Sequence, residues 1–226
     1  MRRTLGTTLV AAALVLGACG DGDTDDPAAT AATDDADTAA PPSADCPPAG
    51  GADTRTTTFD APPPECLVDG VTYQAVVTTN TGEFTIELDP EQAPVAANNF
   101  AFLARNLYYD DTSCHRIIPS FVVQCGDPTG TGTGGPGYTI VDEPPPAGEY
   151  QLGSVAMAKR SDPDSAGSQF FIIIGPSGEA LPPEYALFGQ VVDGFDTTVA
   201  AMAAAGTPEG APSEPIRIES IRIVES

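Results

Sequence analysis

Polar and apolar positions alternate most plainly near the start and the end of one long stretch of the chain. Gly82–Leu88 sets Phe84, Ile86 and Leu88 against Glu83, Thr85 and Glu87, the period-two pattern of a strand buried on one face. Val71–Thr79 is a β-rich run just before it, with Asn80-Thr81-Gly82 as a hairpin turn between the two. Ile216–Val224 alternates again and predicts a last strand or pair of strands. A helix is expected from Pro94, a residue suited to the first helical turn. There Val95, Phe100, Leu103 and Leu107 recur at roughly helical spacing as one buried stripe. A second helix is expected over Asp193–Ala205, with Asp196 as its N-cap and Gly206 just past its end.

Shorter runs fill the middle. Cys114–Ile118 and Phe121–Cys125 are rich in β-branched and aromatic residues and hinge at Pro119-Ser120, as in a tight hairpin. Gly153–Ala158, Gly167–Gly175 and Tyr185–Val192 read as strands, with Lys159–Ala166 and Pro176–Glu184 as loops. Periodicity alone therefore predicts a mostly β domain with two helices.

Composition changes the picture at the N-terminus. With 32 acidic residues against 9 Lys and Arg, a formal net charge of −23 excludes a phosphate-binding surface and hence nucleic acid. Met1–Ala18 has a short basic start (Arg2, Arg3) and an apolar run, Leu9–Leu16, too short to span a bilayer. It is expected to be a secretory signal peptide. Leu16-Gly17-Ala18-Cys19 resembles the bacterial lipobox, which implies a lipid-modified Cys19. Residues 19–45 are rich in Asp, Thr, Ala and Pro and cannot bury enough surface to fold, so they read as an acidic disordered linker. Residues 46–70 form an extension stapled by a Cys46–Cys66 disulfide, as an exported chain favours. The folded domain is expected over 71–226.

Several chemistries drop out. His115 is the single histidine, so no His-rich metal site exists, and no Gly-x-Ser-x-Gly elbow is present. The loop Asp127–Gly137 is glycine-rich but lacks the Lys-Ser/Thr ending of a phosphate-cradling loop. Arg116 stands out, a fixed charge on a strand otherwise made of Ile, Val and Phe.

The stretch His115-Arg-Ile-Ile-Pro119, followed by Phe121, Val122, Val123, Gln124 and Gly126-Asp127, resembles the cyclophilin signature, with Cys125 where the family has glycine. Gly167-Ser-Gln-Phe-Phe-Ile-Ile-Ile-Gly175, Tyr185–Val192 and Asn98-Asn99-Phe100 are similar to further stretches of that family. The resemblance covers about residues 71–226. It implies a closed eight-stranded antiparallel β-barrel capped by two α-helices, and peptidyl-prolyl cis-trans isomerase activity without a metal or cofactor. It also implies catalytic roles for Arg116, Gln124 and Phe121. His115, Ile118, Val122, Lys159, Gln169, Phe171, Leu181, Tyr185 and Phe188 would bind substrate. The family's frequent Trp beside the pocket is replaced by Ala180, its Met by Val122, and the His of many members by Tyr185.

An isomerase needs neither nucleophile nor proton transfer, which suits the residues present. The expected partners are proline-containing, unfolded or flexible exported polypeptides, met by a monomer held to the membrane through its lipid anchor on the extracytoplasmic face. Secretion without an anchor is the alternative location. The rival function is a cyclophilin-fold peptide-binding or chaperone module with little catalysis. The remaining cysteines, Cys114 and Cys125, face each other across a two-residue turn at Pro119-Ser120 if residue 118 opposes 121, and a second disulfide is expected there.

Overall fold

The computed structural model describes Ser43 and residues 45–226. The expected signal peptide, Cys19 and the expected acidic linker, apart from Ser43 and Asp45, lie outside the described residues. Among the described residues nine strands occur in chain order: β1 (Tyr73–Thr79), β2 (Gly82–Leu88), β3 (Thr112–Ser113), β4 (Arg116–Ile118), β5 (Val122–Cys125), β6 (Ser154–Met157), β7 (Phe170–Ile173), β8 (Leu187–Asp193) and β9 (Arg217–Glu225). They form one antiparallel sheet in the order β3-β9-β1-β2-β8-β6-β7-β5-β4, curled into a half-barrel.

The mostly β, antiparallel architecture is the one expected, but the sheet has nine strands and no ladder joins its two edges. Both edge strands are too short to add one. β3 has two residues and β4 three, and Pro119, with no N–H to donate, stops β4. An isolated bridge, Ser113 to Asp127, instead links β3 to the chain just past β5.

The pleat sorts side chains onto two faces. Inside lie Val77, Phe84, Ile86, Ile117, Val123, Met157, Phe170, Ile172 and Phe188, all buried. Phe100 joins them from α1 (Pro94–Arg105), its ring centroid 5.3 Å from Phe170 and 5.0 Å from Phe188. Outside, Val122, Ala156, Phe171, Ile173 and Leu187 make a second, smaller apolar cluster with Tyr150. The functional surface grows on that outer cluster.

α1 departs from the expected single stripe. Ala96 through Arg105 are all buried, while Val95 is 37% exposed and Leu107 lies beyond the helix with φ 56°. The reason is the N-terminal extension. Phe59 packs on Phe102 at 5.2 Å between centroids, and Asn98 Oδ1 accepts the backbone N–H groups of Cys66 (2.7 Å) and Leu67 (3.2 Å). A Cys46–Cys66 disulfide closes the extension, with Cys66 in the core.

The second helix begins as a π-turn, Phe195–Val199, and continues as an α-helix, Ala200–Ala204. Gly194, at φ 77°, is its N-cap, so Asp196 sits in the first turn and caps nothing. Within the stretch expected to be loop, Pro176–Glu179 forms one helical turn. Among the described residues no helix is long and apolar enough to cross a membrane.

Candidate active site

The β4–β5 hairpin is built differently from a two-residue turn. Ser120 adopts the left-handed conformation, φ 60°, and Phe121 N–H donates to Ile118 C=O at 3.1 Å. Ile118 then pairs with Val122, not Phe121, and Arg116 pairs with Gln124, not Val123. Phe121 is the extra residue, set in the loop rather than in the ladder. The register matters chemically. Directly opposed residues share a face, so the Arg116 and Gln124 side chains meet, with Nη1 donating to Oε1 at 3.2 Å.

Beside that pair lies a small cavity of about 170 Å³, lined by Arg116, Gln124, Phe121, Val122, Phe171, Leu181, Lys159 and Tyr185. The guanidinium carbon of Arg116 is 5.3 Å from the Phe121 ring centroid, within cation–π range. Tyr185 packs edge-on against Phe171 at 5.4 Å. Its backbone is fixed by Tyr150, whose hydroxyl donates to Tyr185 C=O (2.7 Å) and accepts Tyr185 N–H (3.0 Å). Burial pushes the Tyr150 hydroxyl up to about 12, so it remains a donor. Lys159 is held by Asp142 at 2.6 Å, a bond that raises its ammonium pKa further.

Four residues from the sequence reading lie off this cavity. Phe188 points into the core against Phe100, and the neighbouring Leu187 takes the outer face, because successive strand residues alternate. Phe188 therefore cannot touch a ligand. Ile118 shares Arg116's face but lies beside Gly210. His115 sits under the glycine loop, its Cδ2 only 3.3 Å from where a Cβ on Gly132 would be. Burial lowers the His115 pKa, the nearby Asp127 offsets this in part, and Arg116 lowers it further. Gln169 lines a second, adjoining cavity of about 800 Å³ with Gln124, Lys159 and Arg160.

Two contributors were not singled out from sequence. Asp142 is one, as the counter-ion of Lys159. Asp127 is the other, fully buried, its carboxylate accepting Thr129 N–H (2.7 Å), Thr129 Oγ1 (2.8 Å), Gly132 N–H (2.6 Å) and Gly134 N–H (3.0 Å). Burial alone would raise its pKa, but these donors outweigh it and hold it at about 2. An Asp opening a Thr-Gly-rich run is a recognisable signal for a side chain that caps its own loop.

Arg116, paired with Gln124, thus borders a small, largely apolar slot on a curled antiparallel sheet. The chain belongs to the cyclophilin-type peptidyl-prolyl cis-trans isomerases: the family model described as "Cyclophilin type peptidyl-prolyl cis-trans isomerase/CLD" matches residues 74–223. It is similar to the probable peptidyl-prolyl cis-trans isomerase B of Mycobacterium leprae, 37% identical over 69% of this chain, and spans 58% of that relative's length. Peptidyl-prolyl cis-trans isomerase-like 1 of Gibberella zeae is 37% identical over 69% of this chain and 97% of its own. A crystal structure of a cyclophilin-type isomerase from Cryptosporidium parvum is similar at TM-score 0.63 and 34% identity, covering 69% of this chain and 99% of that one. A second structure of that protein, in the presence of the dipeptide Ala-Pro, is similar at TM-score 0.62 and 36% identity, covering 68% and 99%.

Proposed function

We propose that this chain isomerises X–Pro bonds in exported polypeptides as a monomer, with Arg116 as the catalytic group, while Cys19 carries a lipid that tethers it to the outer face of a membrane. The observation that carries the catalytic part is the fixed Arg116–Gln124 pair bordering a cavity of about 170 Å³ walled by Phe121, Val122, Phe171 and Leu181. A prolyl ring is compact and apolar, and such a slot orients it.

An X–Pro amide is planar through resonance and rotates over a barrier of roughly 18–20 kcal/mol. Twisting it breaks that resonance and returns a lone pair to the prolyl nitrogen. Gln124 is the one acceptor bonded to the Arg116 guanidinium among the described residues, which leaves other N–H donors for a substrate. A donor aimed at that nitrogen stabilises the twisted amide more than the planar one, which is the differential catalysis requires. Lowering the barrier by about 7 kcal/mol gives an acceleration of roughly 10⁵.

The membrane part is supported by sequence alone: Arg2 and Arg3, the apolar run Leu9–Leu16, and Leu16-Gly17-Ala18-Cys19. More than one acyl chain holds a protein firmly to a bilayer, where a single one is marginal. Two experiments test the proposal. Cis–trans exchange in an Ala-Pro peptide, followed by NMR, should accelerate in the presence of the purified protein. Suppression of aggregation without such exchange would favour a chaperone. In cells, Cys19→Ser should shift the protein from the membrane to the soluble fraction, and an unchanged membrane fraction would refute the anchor.

A further inference from the structure

The hydrogen bonds around Gln124 run in one direction, and their direction is set in the adjoining glycine-rich loop. Gln169 Nε2 donates to two backbone carbonyls, those of Gly132 and Gly134, each at 3.0 Å. That choice turns Gln169 Oε1 toward Gln124, whose Nε2 donates to it at 3.0 Å. Gln124 Oε1 is thereby left for Arg116 Nη1, at 3.2 Å. Reversing either amide would set oxygen against oxygen, at two carbonyls in the case of Gln169. A carboxamide has one donor end and one acceptor end, so the loop carbonyls dictate which end Gln124 shows to the arginine.

Those carbonyls belong to the same two residues whose N–H groups the buried carboxylate of Asp127 accepts, Gly132 at 2.6 Å and Gly134 at 3.0 Å. The loop has no slack there. A Cβ on Gly134 would lie 2.0 Å from Asp127 Oδ1, and Gly132 sits at φ 85°. The segment itself is anchored, since Asp127 forms the bridge to Ser113 across the sheet edge.

We propose that Asp127 is a positioning residue for the isomerase reaction. Through the loop carbonyls and Gln169 it fixes the orientation of the Gln124 amide, and so the guanidinium of Arg116. Asp127 touches no substrate. It acts because a carboxylate only accepts, so it holds two loop N–H groups on one side and commits the corresponding carbonyls to the other. The inference rests on Arg116 being the catalytic group.

The test is Asp127→Asn, nearly isosteric, which sets an NH₂ group against either the two Thr129 donors on Oδ1 or the two glycine N–H groups on Oδ2. With an Ala-Pro peptide as substrate, kcat should fall about tenfold, the scale of a lost hydrogen bond to a charged group, while KM changes little because the apolar slot is intact. The decisive readout is spectroscopic. In the wild type, the side-chain amide protons of Gln124 and Gln169 should be resolved and slow to exchange with water, and in the variant both pairs should exchange fast. A purely structural role would lower the melting temperature but leave these signals in place below it. Should Asp127→Asn fail to fold, Gln169→Leu cuts the same relay with the loop cap retained and should show the same loss in kcat. Wild-type kcat in either folded variant, or unchanged Gln124 amide signals in Asp127→Asn, would overturn the proposal. An active wild type that keeps its full rate in Arg116→Ala would instead overturn the function on which it rests.

Discussion

Removing the Cys114–Cys125 crosslink should injure catalysis, and removing Cys46–Cys66 should not, although the two cost similar stability. The structure joins both pairs, with sequence separations of 11 and 20 residues. In the chain-entropy account either loop is worth about 3 kcal/mol, because the dependence on length is logarithmic. Their surroundings differ. Arg116 lies on β4, a three-residue strand at the end of the sheet whose ladder neighbour is β5 alone. Elsewhere β4 is held by two backbone bonds of Ile117, from its N–H to Gly210 C=O (2.7 Å) and from Thr207 N–H to its C=O (3.1 Å). The crosslink ties the chain two residues before Arg116 to the residue after Gln124. Without it, the Arg116–Gln124 hydrogen bond loosens, and the loss of a charge-assisted bond predicts a fall in kcat of about tenfold. The assay compares Cys114→Ala/Cys125→Ala with Cys46→Ala/Cys66→Ala, by urea unfolding and by peptide exchange at a temperature where both are folded. Equal stability losses with equal kcat values would refute the reasoning.

Phe121→Ala should raise KM for an Ala-Pro peptide about tenfold, as loss of an aromatic anchor does. Phe121 is half-buried, so its stability cost should stay below the 3–5 kcal/mol typical of a core Phe. The pKa of Asp127 is depressed from 3.8 to about 2 on folding. Its contribution of about 2 kcal/mol is thus complete above pH 4–5 and lost as pH falls toward 2. Asp127→Asn should flatten that acid limb of the stability curve, and an identical limb would count against the assignment.

How far the chain could be read without coordinates depended on whether a strand had one buried face or two. β2 alternates cleanly because one face meets solvent, and its inward residues Phe84, Ile86 and Leu88 are buried as expected. β7 and β8 are covered on both faces, so Phe170-Phe171 and Leu187-Phe188 carry no period, and Phe188 was placed on the wrong side. The stripe on α1 failed for a related reason, since the extension covers the side that a free helix would show to water. In the hairpin, one left-handed residue, Ser120, shifted the register by one. That shift is invisible in composition, yet it brings Arg116 opposite Gln124. The loop-capping role of Asp127 was not legible because its partners five and seven residues on, Gly132 and Gly134, fit neither periodicity. The pocket residues Phe121, Val122, Phe171, Leu181 and Tyr185 were legible through family resemblance, whereas spacing could not select them.

The most direct test of the account is the isomerisation rate of an Ala-Pro peptide with Arg116 replaced. Arg116→Ala should lose orders of magnitude in kcat/KM while keeping the melting temperature within a few degrees, since Arg116 is half-buried and its side chain hydrogen-bonds Gln124 alone among the described residues. Arg116→Lys should fail to restore the rate, because an ammonium cannot reproduce the planar fork that on the proposed mechanism would meet Gln124 and the prolyl nitrogen together. A rate near wild type in folded Arg116→Ala would contradict the central claim.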